Sequence, residues 1–136
     1  GAVRFSVSLE PELLLAFDAL SAREGFPTRS EAMKQLMRKA LVEKEWESPG
    51  TVAGALVMVY DHHRRDLVQK LMDIQHNFGE IVISSQHVHL DHDNCLEVVT
   101  VKGRACKIRE LAGAIKSVKG LKHSSSVMTT TGRDIA

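Results

Sequence analysis

The sequence predicts an α+β chain built as two small domains, and three observations predict it. A strictly alternating segment at residues 3–9 is followed only by helical periodicity up to residue 47. Residues 52–131 instead alternate strand-like and helix-like stretches in the order β-α-β-β-α-β. Between them lies Ser48-Pro49-Gly50-Thr51, a cluster of breakers that suits a linker. The boundaries read from these patterns are 1–47, a linker at 48–51, and 52–136. A length of 136 residues accommodates that division. With 43% hydrophobic and 26% charged residues, the composition is that of a globular protein and excludes wholesale disorder. The longest apolar stretch, 52–60, is far too short for a bilayer, and no basic-then-apolar leader opens the chain. Two cysteines are too few for a disulfide scaffold, so the expected location is cytoplasmic.

The first element is the alternating strand. Val3, Phe5, Val7 and Leu9 point one way, and Arg4, Ser6 and Ser8 the other. Glu10-Pro11 ends it and puts proline where a first helical turn tolerates it. Leu13, Leu14, Phe17 and Leu20 follow at helical spacing, and Gly25 stands where a helix stop is favoured. Thr28-Arg29-Ser30-Glu31 matches a capping box, the threonine accepting from a later amide while the glutamate reaches back. Met33, Leu36, Met37, Ala40 and Leu41 form the apolar stripe of a second helix.

One strand and two helices bury too little surface to be stable alone, and a lone strand leaves its backbone groups unpaired. Pairing the strand antiparallel with that of a second chain, with interleaved helices, answers both problems. The face bearing Arg4, Ser6 and Ser8 then points outward as a two-stranded ribbon. Such a ribbon fits the major groove of DNA, where arginine grips guanine and serine serves several base edges. Residues 1–47 hold 7 Lys/Arg against 8 Asp/Glu, so the general basic excess of most DNA binders is lacking. Tight DNA binding then requires help from elsewhere, which invites regulation. The competing reading is a dimerisation module with a solvated polar strand face.

The second half begins with a buried-strand run at 54–60. A helix follows over 65–75, with Leu67, Val68, Leu71, Met72 and Ile74 at helical spacing. Strands are predicted at 81–90 and 95–101. Gly103 precedes a helix carrying Ile108, Leu111, Ala112 and Ile115 and ending at Gly120, and residues 121–130 give a last strand. Cys106, beside Ala105, reads as a small buried residue of that helix. This order is the ferredoxin-like plan, with helices on one sheet face, shared by small regulatory domains of the ACT type.

All seven histidines lie at or after position 62. The sharpest cluster is His87-Val88-His89-Leu90-Asp91-His92-Asp93-Asn94-Cys95. His87 and His89 are two apart on a strand and share a face. With Asp91-His92-Asp93 as the hairpin loop, Cys95 falls opposite His89, and Glu97 opposite His87. Two imidazoles and a thiolate then converge, and Glu97 can steer a ring nitrogen from outside the coordination sphere. Such donors favour nickel, copper, cobalt or zinc over magnesium or calcium. The fourth donor comes from elsewhere. His76, at the end of the preceding helix, is the natural one if another subunit presents it, with His62, His63, His92 and His123 as alternatives. An enzyme is disfavoured: a zinc hydrolase needs an open position and a nearby base, and no His-Glu-x-x-His helix is present.

Residues 3–46 resemble the ribbon-helix-helix family of dimeric DNA-binding proteins. That resemblance implies that the start of the second helix, Thr28, Arg29 and Ser30, anchors a DNA phosphate. The whole chain, from position 3 to about 128, resembles the nickel-responsive transcriptional regulators of the NikR type. The residues carrying the resemblance are Arg29-Ser30-Glu31-Ala32, Arg65-Asp66-Leu67, Gln75-His76, His87-Val88-His89 and Asn94-Cys95-Leu96-Glu97. It implies a homotetramer, a dimer of dimers, in which two DNA-binding dimers flank four ACT-like domains. It also implies one Ni(II) per subunit, held square-planar by His87, His89 and Cys95 of one chain and His76 of a neighbour. Metal binding then raises affinity for a palindromic operator and usually represses nickel-uptake genes. The chain departs from the family where a weaker acidic metal site is expected, since Glu31 matches but Gln35 stands at another position. Serine at 6 and 8 replaces the commoner threonine. The readings from other classes are a metal-binding or storage protein and a small-molecule ACT sensor.

Overall fold

The computed structural model describes residues 1–136, which form two compact units, 1–40 and 41–136. The first holds α1 (Pro11–Glu24) and most of α2 (Arg29–Glu47). Proline at its first turn opens α1. Gly25 closes it in the left-handed region at φ 79°, its amide donating to the Ala22 carbonyl. At that φ a Cβ clashes with the backbone, so glycine is the natural stop. The Thr28 hydroxyl accepts from the Glu31 amide at 3.1 Å, as a capping box requires. The reciprocal half does not form: the Glu31 carboxylate turns to Lys34 at 3.3 Å.

Residues 1–10 form no strand within the single chain, and all are exposed. The physical reason is the one that alternation raised: a strand needs a partner for its amides and carbonyls, and one copy supplies none. The apolar face is accordingly bare, with Val3 91% and Phe5 64% exposed. An apolar cleft of about 510 Å³ lies between Phe5, Val7, Leu9, Leu14, Phe17 and Met33. Leu13, Leu20, Leu36 and Met37 are exposed as well.

The second unit contains β1 (Thr51–Asp61), α3 (Arg65–Asn77), β2 (Val82–His89), β3 (Asn94–Arg104), α4 (Ala105–Lys116) and β4 (His123–Thr129). The antiparallel sheet has the order β2-β3-β1-β4, which is the ferredoxin-like arrangement. One sheet face is sealed by the helices. Val52, Leu56, Met58 and Tyr60 of β1 and Cys95, Val99 and Val101 of β3 pack there against Leu67, Leu71, Ile108, Leu111 and Ile115. The opposite face carries Ala53, Ala55, Val57, Val59 and Val98, all half-buried, with Val127 55% and Val88 40% exposed. It is apolar, and neither α3 nor α4 covers it.

Three local expectations need correction. The last helix stops at Lys116, with Ser117 capping it, and a turn carries the chain to Gly120 at φ 102°. Cys106 is exposed, because it stands about 100° around α4 from Ala105 and about 140–180° from Ile108, Leu111 and Ile115, the other members of the buried stripe. Residues 48–51 do end α2 and lead into β1, yet Trp46 already packs with the second unit. Its indole donates to the Thr129 carbonyl at 2.8 Å, and the Arg109 guanidinium lies 5.6 Å from its ring centre.

Gly54 makes that packing possible. A Cβ there would meet the Val127 carbonyl at 2.5 Å and the Trp46 ring at 3.5 Å. Gly54→Val is expected to destabilise the second unit by about 1–3 kcal/mol through overpacking. Trp46 is the single tryptophan, so a lower unfolding midpoint with red-shifted emission in the folded state reads the effect directly.

Candidate metal centre

The hairpin of β2 and β3 builds the centre. Asp91 shapes its loop by accepting from the Asp93 amide at 2.9 Å and the Asn94 amide at 2.8 Å. These bonds, with the Asn94 side chain first among them, pull the Asp91 carboxyl down to about 2. The chain is thereby returned in the register that places His89 opposite Cys95 and His87 opposite Glu97. Cys95 is buried, and its Sγ lies 4.0 Å from His87 Nδ1. His89 shares their face by register, but its ring stacks on His62, with centroids 4.4 Å apart and planes 7° from parallel. His76 is exposed in the last turn of α3.

Glu97 is the organising carboxylate. It is 2% exposed and takes donors from three elements: Tyr60 Oη at 2.7 Å, Gln75 Nε2 at 2.8 Å and Ser85 Oγ at 2.7 Å. His87 Nε2 lies 3.4 Å from it. A proton on Nε2 directed at Glu97 leaves the Nδ1 lone pair on the thiol side, the usual way an outer carboxylate fixes a ligand tautomer. Burial, with Glu97 beside it, pushes the Tyr60 hydroxyl far above the ordinary phenol range, which keeps it a donor. Tyr60 and Ser85 escaped the sequence reading of this site, and Gln75, singled out there only beside His76, was given no role toward Glu97. Ser85 was accessible to it, standing two residues before His87 and thus on the same face. Tyr60 was not, because it depends on the pairing of Tyr60 with Cys95 between β1 and β3.

Glu97→Gln is expected to weaken metal binding by roughly 10- to 100-fold, the usual cost of losing an outer-sphere partner. Its amide also brings a donor to face three donors, costing about 1–3 kcal/mol of stability. A chelator-competition titration beside a melt of the metal-free protein separates the two effects. Unchanged metal affinity would reduce Glu97 to a packing role.

The DNA-facing candidates lie in the first unit. Arg4, Ser6 and Ser8 are exposed on the segment before α1, and Ser30 is exposed in the first turn of α2. Thr28 serves as the helix cap described above. Arg29 grips Asp18 through Nε at 2.8 Å and Nη2 at 2.7 Å. Those bonds hold the Asp18 carboxyl below its ordinary value of 3.8. The pair is therefore fully effective above that value and is lost only as pH falls through the lower folded one. Glu31 and Gln35 bring no second carboxylate together, and Gln35 lines an interhelical cleft with Phe17, Leu20 and Leu36.

Comparison with known proteins gives a consistent picture. Residues 53–129 match the family described as the NikR C terminal nickel binding domain, and residues 3–44 match the ribbon-helix-helix proteins of the copG family. A protein of Syntrophus aciditrophicus named as a nickel-responsive regulator is 47% identical over 131 residues, covering 96% of each chain. One from Desulfovibrio desulfuricans with the same description is 48% identical over 98% of this chain and 96% of its own. Another from Chlorobaculum tepidum is 52% identical over 88% of this chain and 90% of its own. In fold alone, an uncharacterised Thermotoga maritima structure superposes with a TM-score of 0.53 at 16% identity, over 58% of this chain and 98% of that one.

Proposed function

The chain belongs to the NikR family of nickel-responsive regulators, and from that premise we propose that it is a DNA-binding transcriptional regulator whose operator affinity rises with Ni(II). Residues 1–47 act as the DNA-binding module, and residues 52–136 as the metal-binding and tetramerising one, joined by 48–51. The observation that carries the reading is the register of His89 with Cys95 and of His87 with Glu97, which brings a buried thiol within 4.0 Å of an imidazole nitrogen.

Thiolate and imidazole donors fit nickel and disfavour magnesium and calcium, which take oxygen donors, as occupants of this site. His87, His89 and Cys95 would hold the ion from one chain, with His76 of the partner subunit as fourth donor, one ion per subunit. Bound there, nickel supplies a crosslink between two polypeptides. His76 then becomes the residue that senses the neighbouring chain, and the helix end carrying it is fixed against the hairpin. The bare sheet face bearing Val57, Val98 and Val127 supports assembly of this half into a larger core, a dimer of dimers in our reading. The bare face of Phe5 and Val7 supports pairing of the first half.

Paired in that way, Arg4, Ser6 and Ser8 of two chains read base edges, while Thr28, Arg29 and Ser30 at the start of α2 position the backbone phosphate. The target is an inverted repeat, because two-fold symmetric readers select two-fold symmetric sites. Crosslinked subunits restrict how the two readers are spaced, and a typical coupling of about 1–3 kcal/mol gives roughly 5- to 150-fold in operator affinity. The regulator is repressive, cytoplasmic and without catalytic duty in this reading.

Fluorescence anisotropy with an inverted-repeat duplex tests it. Binding is expected with Ni(II) and much weaker binding after chelation. Metal uptake with no change in DNA affinity would instead identify a storage protein. Arg4→Ala is expected to remove about 1–3 kcal/mol of sequence discrimination while leaving nickel affinity untouched. Retained preference for the operator in that variant would take Arg4 out of the base-reading set.

A further inference from the structure

A second group of donors stands at the tip of the same hairpin, apart from the buried thiol. His63, in the turn between β1 and α3, faces His92 and Asp93 in the hairpin loop. One ligand atom from each of the three lies within 4.8 Å of the others. His63 Nε2 is 3.5 Å from Asp93 Oδ1 and 3.1 Å from the His92 carbonyl oxygen. The His63 and His92 ring centroids are 5.1 Å apart. We propose that His63, His92 and Asp93 form an exposed second site for a divalent transition-metal ion, with the His92 carbonyl as an additional oxygen donor.

The backbone under these side chains is held in place. The Asp61 carboxylate accepts from the His63 amide at 2.9 Å, and the His62 amide donates to the Asp93 carbonyl at 3.1 Å. Asp91 clamps the other half of the loop through the amides of Asp93 and Asn94. The two donor segments are therefore tied to each other before any ion arrives, which lowers the entropy lost on binding. All three side chains are exposed, so a bound ion keeps water in its remaining positions and exchanges readily.

The donor set decides the class of ion. Two imidazole nitrogens and a carboxylate suit zinc, cobalt, nickel and copper, whereas magnesium and calcium take oxygen donors throughout. Without a thiolate, this site is the weaker and less soft of the two. It also adjoins the first: His62 Nε2 rests on the His92 carbonyl at 2.7 Å, and its ring lies flat on His89. The tip site is a property of these side chains and does not depend on DNA binding.

Cobalt(II) is the probe, titrated into the full chain and followed by visible absorption and equilibrium dialysis. Thiolate coordination gives a sulfur-to-cobalt charge-transfer band in the near ultraviolet, and the tip site gives only weaker d–d bands. The wild-type chain is expected to take up a second ion after the charge-transfer band is complete. The combined variant His63→Ala, His92→Ala, Asp93→Ala is expected to lose that second ion and keep the band. Cys95→Ala is expected to lose the band and keep the histidine–carboxylate ion. A triple variant that binds as many ions per chain as wild type overturns the tip site. Titration with no charge-transfer band but with tip-site uptake intact supports it, and removes the thiolate centre instead.

Discussion

Cys95→Ala is expected to abolish the stimulation of operator binding by nickel while leaving the fold intact. Its thiol is the softest donor of the proposed set and is buried, with Sγ against His87 Nδ1 at 4.0 Å. No other side chain replaces it, since Cys106 is exposed on α4. Loss of an outer-sphere partner costs roughly 10- to 100-fold in metal affinity, and loss of a direct ligand costs more than that. Alanine removes one buried sulfur, so the accompanying loss of stability is modest beside the roughly 2–5 kcal/mol of large aliphatic truncations. Chelator competition and anisotropy on the same preparation check both halves. A variant that still tightens on the operator with nickel would dismiss the thiol as a ligand.

Phe5→Asp should disable DNA binding at every nickel concentration, for a different reason. Phe5 is 64% exposed in the single chain and lies in the alternating row of Val3, Val7 and Leu9 beside an open apolar cleft. If two chains pair there, the substitution buries an unpaired carboxylate twice per dimer. An uncompensated buried charge costs about 3–5 kcal/mol, enough to separate a dimer of this size. Residues 41–136 form their own compact unit, so nickel uptake is expected to survive. Sedimentation and metal titration together make the check. Unimpaired operator binding by the variant would show that the row is not an interface.

Much of this was legible because the informative signals are local. Proline at 11, glycine at 25 and the period-two pattern of residues 3–9 each state a backbone preference without reference to the rest of the chain. The hairpin register followed from the length of one loop, and that alone set His89 against Cys95. What escaped depends on distant pairing. Tyr60 reaches Glu97 only because β1 lies beside β3, and Gln75 only because the last turns of α3 bring its amide to that carboxylate. The turn at His63 meets the loop at His92 by the same route. Trp46 inserts next to Gly54, so the end of α2 belongs with the second unit and the chain divides at residue 40, before the end of the helix where periodicity would divide it. Arg29 could be read as a phosphate anchor, yet its bond to Asp18, on the other helix of the module, was invisible from spacing.

Whether two polypeptides share each nickel is tested most directly by complementation. Chains carrying His76→Ala and chains carrying Cys95→Ala are each defective alone in the proposed centre. Co-expressed, they assemble into mixed oligomers in which a His76→Ala chain offers His87, His89 and Cys95 to an intact His76 on its partner. Recovery of the thiolate-to-nickel charge-transfer band, and of nickel-stimulated operator binding, in the mixed protein is the predicted result. A mixture as inactive as its two components would mean that the donors come from one chain, and the crosslink would no longer explain regulation.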